Sequence, residues 1–82
     1  MKISKIIETK EVVLYLTKRG LTKQYQKAKL YILNGFLKHV DFKLRQPKSS
    51  GIWYFRINRQ YRALGIMEKD ELRILEIDDH QN

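Results

Sequence analysis

The clearest alternation of hydrophobic and polar positions lies in the second half of the chain. Every second position over residues 52–57 is large and apolar, at Trp53, Phe55 and Ile57. The positions between them carry Tyr54 and Arg56. A two-residue period of this kind is typical of a strand that buries one side and leaves the other in water. The pattern therefore predicts that Trp53 belongs to the core and that Tyr54 and Arg56 point outward.

Two further strands are predicted downstream, over residues 61–68 and 72–78. The connections at 58–60 and 69–70 are short and polar, as the turns of hairpins are. Three strands joined by tight turns form an antiparallel meander.

The first half of the chain predicts a short strand followed by two helices. Residues 3–7 are mostly apolar and β-branched, which favours a strand. Hydrophobic residues then recur at helical spacing in two stretches. Thr9 and Thr22 are the expected N-caps of the two helices, and Gly20 and Gly35 follow their last turns.

The order of these elements predicts an α+β fold. We expect a short N-terminal strand and two helices packed on one face of an antiparallel three-stranded meander. Residues 36–51 show no regular period, and Pro47 and Gly51 indicate a loop at 46–51. The sheet face away from the helices would be free for function.

Length and cysteine content limit the class of protein. With 82 residues, the chain is expected to form a single domain over 1–82. It contains no cysteine, which excludes disulfides and thiolate metal sites and favours the cytoplasm. Charged residues interrupt the first eight positions at short intervals, which argues against a signal peptide or a membrane span.

The charge is unevenly distributed along the chain. The formal net charge is +8. Residues 1–62 hold fifteen lysines and arginines against three acids, whereas residues 63–82 hold two against six. The basic part therefore favours a polyanion such as nucleic acid as its partner, without indicating any sequence preference. A merely soluble basic surface remains the alternative.

Several kinds of catalysis find no support in the sequence. No serine lies in an elbow-like setting beside a histidine, and the two histidines, His39 and His80, lack the spacing of zinc ligands. The glycines are scattered and form no phosphate-binding loop. We therefore expect neither a metal nor a small-molecule cofactor.

A cationic and aromatic sheet face is the strongest candidate for function. Strand alternation turns Tyr54 and Arg56 outward, and the next strand can bring Arg62 beside them. Arginine binds phosphate oxygens with a planar fork, and tyrosine can stack on an unpaired base. His80, after the last strand, is a candidate general acid or base. Solvated strand residues and a frayed C-terminus are the alternative explanations.

Further cations lie near the predicted strands. The RNA-binding candidates outside the strands are Lys43, Arg45, Lys48 and Arg59. These four residues belong to a loop and a turn, and the alternative explanation for Lys43, Arg45 and Lys48 is that they simply keep a loop soluble.

Two stretches of the sequence resemble a known family. Residues 51–65 read GIWYFRINRQYRALG, and residues 75–80 read LEIDDH. These stretches resemble RelE/ParE-type toxins of type II toxin–antitoxin pairs, in which a strand, two helices and a meander follow one another. The arginine-bearing strand, the short turn and the Tyr61-Arg62 pair carry most of the likeness.

The resemblance implies a function and roles for individual residues. In the RelE branch the toxin is an mRNA endoribonuclease that cuts messages on the ribosome without a metal, inhibits translation and arrests growth. Arg56 and Arg62 match two of the cations that activate the ribose 2′-hydroxyl and stabilise the phosphate. His80 matches a residue that acts on the leaving group. Charge stabilisation would be the main contribution to catalysis.

Two alternatives stay open within the same resemblance. Tyr54 stands where RelE-like ribonucleases often carry a lysine, so a ParE-like inhibitor of DNA gyrase is one alternative. A catalytically degenerate relative that only binds nucleic acid is the other. Either branch implies a cognate antitoxin, which would mask the basic face with an acidic amphipathic helix.

Overall fold

The computed structural model describes residues 1–79. Among these residues, no helix has the length and apolar character needed to cross a membrane. The helices and strands follow the chain in this order: β1 Lys5–Glu8, α1 Lys10–Lys18, α2 Thr22–Leu33, β2 Lys43–Leu44, β3 Ile52–Arg56, β4 Tyr61–Glu68 and β5 Glu71–Asp79. The predicted α+β class is confirmed.

The sheet is larger than the predicted three-stranded meander. As predicted, β3 pairs with β4 and β4 pairs with β5, and both pairs are antiparallel. However, the sheet has five strands in the order β1-β5-β4-β3-β2, and β1 runs parallel to β5. The predicted meander is therefore present, but it is only part of a five-stranded mixed sheet. The parallel contact joins the two ends of the chain, and no local pattern can reveal such a pairing.

The two helices begin in different ways. The Thr9 side chain accepts a hydrogen bond of 3.1 Å from the Val12 backbone N–H, so the predicted cap of α1 is confirmed. In contrast, Thr22 is the first residue of α2, and Leu21 occupies the N-cap position without a side-chain bond. The prediction for Thr22 was wrong because Leu21 is buried in the core, and its burial fixes where the chain enters the helix.

Both helices contribute to one hydrophobic core against the sheet. Val12 and Leu16 from α1 and Tyr25, Ala28 and Ile32 from α2 are buried. They belong to one cluster with alternate residues of the strands, including Phe55, Ala63, Leu72 and Ile77. Trp53 packs against this cluster and stacks on Phe42 at 4.9 Å between ring centroids. Because side chains alternate along a strand, the residues between these positions occupy the opposite, open face of the sheet.

A polar clasp joins β1 to α2 at the edge of the core. The hydroxyl of Tyr25 donates a hydrogen bond of 2.6 Å to Glu8 Oε2, and Lys29 Nζ donates one of 2.8 Å to the same oxygen. Burial is the main reason why the pKa of Tyr25 is raised. The hydrogen bond to Glu8 and the negative charge of Glu8 raise this pKa further. The protonated Tyr25 hydroxyl therefore stabilises the fold fully below about pH 10, the ordinary pKa of tyrosine. Its contribution to the free energy of unfolding decreases as the pH rises above that value.

A Glu8→Ala variant is expected to lower the free energy of unfolding by about 2–3 kcal/mol. The substitution leaves the buried Tyr25 hydroxyl and the half-buried Lys29 ammonium without their shared acceptor. Urea denaturation followed by circular dichroism measures the change. The matched control is Glu76→Ala, an exposed carboxylate of β5, which is expected to change stability by about 0.5 kcal/mol or less. Equal losses in the two variants would contradict the clasp.

Candidate nucleic-acid interface

Arg56 and Arg62 are directly opposite each other in the sheet. They are Cα partners in the antiparallel pair of β3 and β4, so their side chains leave the same face at the same level. The turn between them is fixed by Asn58, whose Oδ1 accepts hydrogen bonds from the backbone N–H groups of Gln60 at 2.8 Å and Tyr61 at 2.9 Å. This turn sets the register of the hairpin. The predicted juxtaposition of the two arginines on one face is confirmed.

Tyr54 holds Arg62 in place. Arg62 Cζ lies 4.8 Å from the centroid of the Tyr54 ring. Tyr54 precedes Arg56 by two positions on β3, so all three side chains share the open face. A cation–π contact at an exposed site contributes about 0.5–1 kcal/mol and restricts the guanidinium. The Tyr54 ring thus orients the Arg62 guanidinium.

Arg56 is engaged by an acid that sequence reasoning missed. Arg56 Nη2 lies 3.6 Å from Asp41 Oδ2, and the two side chains are 49% and 45% exposed. Ion pairs this exposed contribute little to stability because water screens them. Asp41 follows the 3₁₀ turn Leu37–Val40 and has a left-handed backbone, with φ at 50°. Its approach to Arg56 depends on that turn, and residues 36–51 show no regular period from which the turn could be predicted.

An Asp41→Asn variant is expected to bind single-stranded RNA about three- to tenfold more tightly, because it removes a competitor for the Arg56 guanidinium. Asparagine tolerates the left-handed backbone, so the turn is retained. Fluorescence anisotropy with labelled RNA measures the affinity. The gain should disappear when Arg56 is also replaced by glutamine, and a gain that persists there would show that Asp41 acts through overall charge alone.

Arg62 also has an acidic neighbour that the sequence patterns did not predict. Asp78 on β5 is the Cα partner of Arg62, on the side opposite Arg56. Within residues 1–79, no carboxylate oxygen lies within 4.0 Å of the Arg62 guanidinium. Arg62 therefore lies between Arg56 on β3 and Asp78 on β5, and no direct ion pair neutralises its charge. Such a position suits a residue that must receive an anionic group.

The other predicted RNA-binding residues lie in different parts of the structure. Lys43 is the Cα partner of Tyr54, so it joins the arginine face. Arg45 extends the β2–β3 pairing through its backbone N–H, at 2.7 Å from the Ile52 carbonyl oxygen. Lys48 lies in a separate 3₁₀ turn. Arg59 lies in the β3–β4 turn and lines a cleft beside α2. The structure brings together Lys43, Tyr54, Arg56 and Arg62, but it does not bring Lys48 or Arg59 to that row.

The open face also has an apolar part. A depression of about 250 Å³ is lined by Arg45, Ile52, Leu64, Gly65, Leu75 and Glu76. Leu75 is 49% exposed there. The surface thus combines a cationic row with an apolar floor and an acidic border from β5.

His80 lies outside the described residues, so its predicted role depends on the sequence alone. Among residues 1–79, no group of three or more histidine, aspartate or glutamate side chains is arranged to hold a metal ion.

Comparison with protein-family models gives no match, and comparison with curated proteins gives none either.

Proposed function

We propose that this protein is the toxin of a type II toxin–antitoxin pair and acts in the cytoplasm as a metal-independent, ribosome-associated mRNA endoribonuclease. The observation that carries the proposal is the cross-strand pairing of Arg56 and Arg62 on an uncovered sheet face. Two guanidinium groups at one level can contact both non-bridging oxygens of a phosphodiester. Tyr54 supports the proposal because it orients Arg62 beside the place where a base would lie.

The proposed reaction is an internal transfer of the phosphodiester. The ribose 2′-oxygen attacks the neighbouring phosphorus, a new O2′–P bond forms and the P–O5′ bond breaks. The products are a 2′,3′-cyclic phosphate and a 5′-hydroxyl end. Arg56 and Arg62 stabilise the extra negative charge on the phosphoryl oxygens in the transition state.

Proton transfer completes the proposed reaction. We assign Asp78 as the acceptor of the 2′-hydroxyl proton, because it is the cross-strand partner of Arg62. His80 would give a proton to the departing 5′-oxygen, a role that depends on the resemblance alone. The whole cycle needs no metal and no cofactor.

Mapping RNA ends in cells tests the proposal directly. Induction of the protein is expected to arrest growth and to produce new 5′-hydroxyl ends within translated messages. Co-expression of the adjacent antitoxin gene should suppress both effects. Intact messages during growth arrest would contradict the ribonuclease function.

A gyrase inhibitor is the second candidate, and the presence of tyrosine rather than lysine at position 54 favours it. Tyr54 occupies a position where a ribonuclease of the resembled family often has a lysine, and its ring contacts an arginine instead. Stalled cleavage complexes with purified gyrase, together with intact messages, would support this candidate. A degenerate relative that binds nucleic acid without acting on it would cause neither effect.

The proposed antitoxin fits the mixed character of the open face. An acidic amphipathic segment would pair its carboxylates with Lys43, Arg45 and Arg62, and would place apolar side chains over Ile52, Leu64 and Leu75. Such a segment would cover the arginine pair and so block access of RNA.

A further inference from the structure

A second basic site lies at the edge of the sheet, between α2 and the β3–β4 turn. It is a cleft of about 360 Å³, within the range of about 300–1,000 Å³ that small-ligand sites occupy. The 3₁₀ turn Leu37–Val40 forms its third side. Asn58 Nδ2 donates a hydrogen bond of 2.8 Å to Gln24 Oε1, which ties the hairpin turn to α2 across one end of the cleft. The walls are therefore held by contacts that need no ligand.

The charge of the cleft is of one sign. Lys27 from α2, Arg59 from the hairpin turn and Arg56 from the end of β3 all line it. Within the described part of the chain, none of the residues that line the cleft is acidic. A counter-charge lies just outside the cleft at Asp41, whose Oδ2 is 3.6 Å from Arg56 Nη2. Three permanent cations around one concave surface focus a positive field, and such a field attracts phosphate.

An aromatic pair gives the same cleft a flat wall. Tyr31 and His39 line it and stack with 4.9 Å between ring centroids and 14° between ring planes. Phe36 meets His39 edge to face at 5.5 Å. His39 nevertheless remains exposed. Two neighbouring rings thus hold the imidazole in a fixed orientation, and unpaired bases stack readily on such rings.

We propose that this cleft binds a second nucleotide of the single-stranded RNA substrate, one that lies beyond the phosphodiester held by Arg56 and Arg62. Lys27 and Arg59 contact its phosphate, and the Tyr31–His39 pair stacks on its base. This inference depends on the proposed function for the identity of the strand, but the binding of a nucleotide in the cleft does not depend on cleavage.

Arg56 connects the two sites. It is the cross-strand partner of Arg62 and also lines the cleft, so one residue borders both places where a phosphate would be bound. β2 pairs with β3 only at Lys43 and Leu44, which leaves the Arg56 end of β3 without a strand neighbour on that side. An RNA strand that passes from the open face around this edge to the cleft would replace the exposed ion pair between Arg56 and Asp41.

RNA length is the variable that tests the inference. The double variant Lys27→Gln/Arg59→Gln is compared with the wild type for binding a labelled nonanucleotide and a labelled trinucleotide, by fluorescence anisotropy over a series of salt concentrations. We expect the nonanucleotide to bind about tenfold more weakly, with the slope of log affinity against log salt reduced by about 0.7 for the one phosphate that is no longer neutralised. The trinucleotide, held at the arginine pair, should bind as it does to the wild type.

The matched control removes two exposed cations of α1 through Lys10→Gln/Lys18→Gln. It is expected to weaken the two RNAs equally and only slightly, because these lysines lie outside the cleft. The inference is overturned if the cleft variant behaves like this control, or if it weakens the trinucleotide as much as the nonanucleotide.

A titration with adenosine 5′-monophosphate, followed by NMR, separates this inference from the proposed function. We expect the amide chemical shifts of Lys27, His39 and Arg59 to change in the wild type and in Arg62→Gln. In the Lys27→Gln/Arg59→Gln variant, we expect no such changes in the cleft. If these shifts appear while messages stay intact in cells, the proposed function fails and the cleft site stands. If messages are cut but the cleft amides do not move, the cleft inference fails alone.

Discussion

An Arg62→Gln variant is expected to lose growth arrest and to cleave RNA about 100- to 1,000-fold more slowly than the wild type. Glutamine removes the charge opposite Arg56 and the cation held over the Tyr54 ring. Arg62→Lys should recover little of the rate, because an ammonium cannot form the two parallel hydrogen bonds of a guanidinium to phosphate. Single-turnover cleavage of a message on purified ribosomes measures the effect.

Arg73→Gln is the matched control for this prediction. Arg73 lies on β5, and its side chain is exposed and paired with Glu68 at 3.1 Å. Arg73→Gln removes the same charge as Arg62→Gln. Arg73 is opposite Ile66, however, so it lies several positions along the strands from the arginine pair. The control should retain its cleavage rate to within about threefold, as a rim charge affects association more than chemistry. Similar losses in both variants would mean that only the overall charge matters.

A Gly65→Ala variant is expected to lose about 3 kcal/mol or more of its free energy of unfolding. Gly65 lies on β4 at a β-bulge where the pairing with β5 shifts register. A Cβ atom there would overlap the backbone carbonyl oxygen of Arg73 and crowd the Cα atom of Ile74. Because both contacts are with backbone, no side chain can rotate away, and the two strands must separate.

The control for Gly65 is Gly20→Ala, at the end of α1. Gly20 has a positive φ of 67°, but a Cβ there meets no atom within 4 Å. Alanine should therefore cost only the backbone strain, about 1–2 kcal/mol. Thermal and urea denaturation compare the two variants. A Gly65→Ala protein as stable as the Gly20→Ala protein would contradict the close approach of β4 and β5.

The local periods of the sequence predicted the helices and the hairpin because both depend on neighbours in the chain. The alternation at 52–57 and the Asn58 turn were enough to bring Arg56 opposite Arg62. The parallel pairing of β1 with β5 and the two-residue strand β2 could not be predicted in this way. The first joins distant segments, and the second is too short to show a period.

The same limit explains which residues of the site escaped prediction. Asp41, His39 and Lys27 reach the Arg56 end of β3 from α2 and from a 3₁₀ turn. Their proximity depends on how those elements pack against the sheet. Leu21 illustrates the effect for the fold, since its burial prevailed over the capping preference of Thr22. Sequence patterns thus predicted the residues of the hairpin face but not those that approach it through space.

A double-mutant cycle on Arg56 and Arg62 tests most directly whether the two arginines hold one phosphodiester. Arg56→Gln, Arg62→Gln and the double variant are compared with the wild type for binding a trinucleotide RNA whose 2′-hydroxyls are replaced by hydrogen, so that it cannot be cut. We predict that the two losses are strongly non-additive, with a coupling free energy of about 1 kcal/mol or more, because both cations contact the same phosphate. Losses that add to within about 0.3 kcal/mol would show that the arginines act on separate groups and would contradict the proposed site.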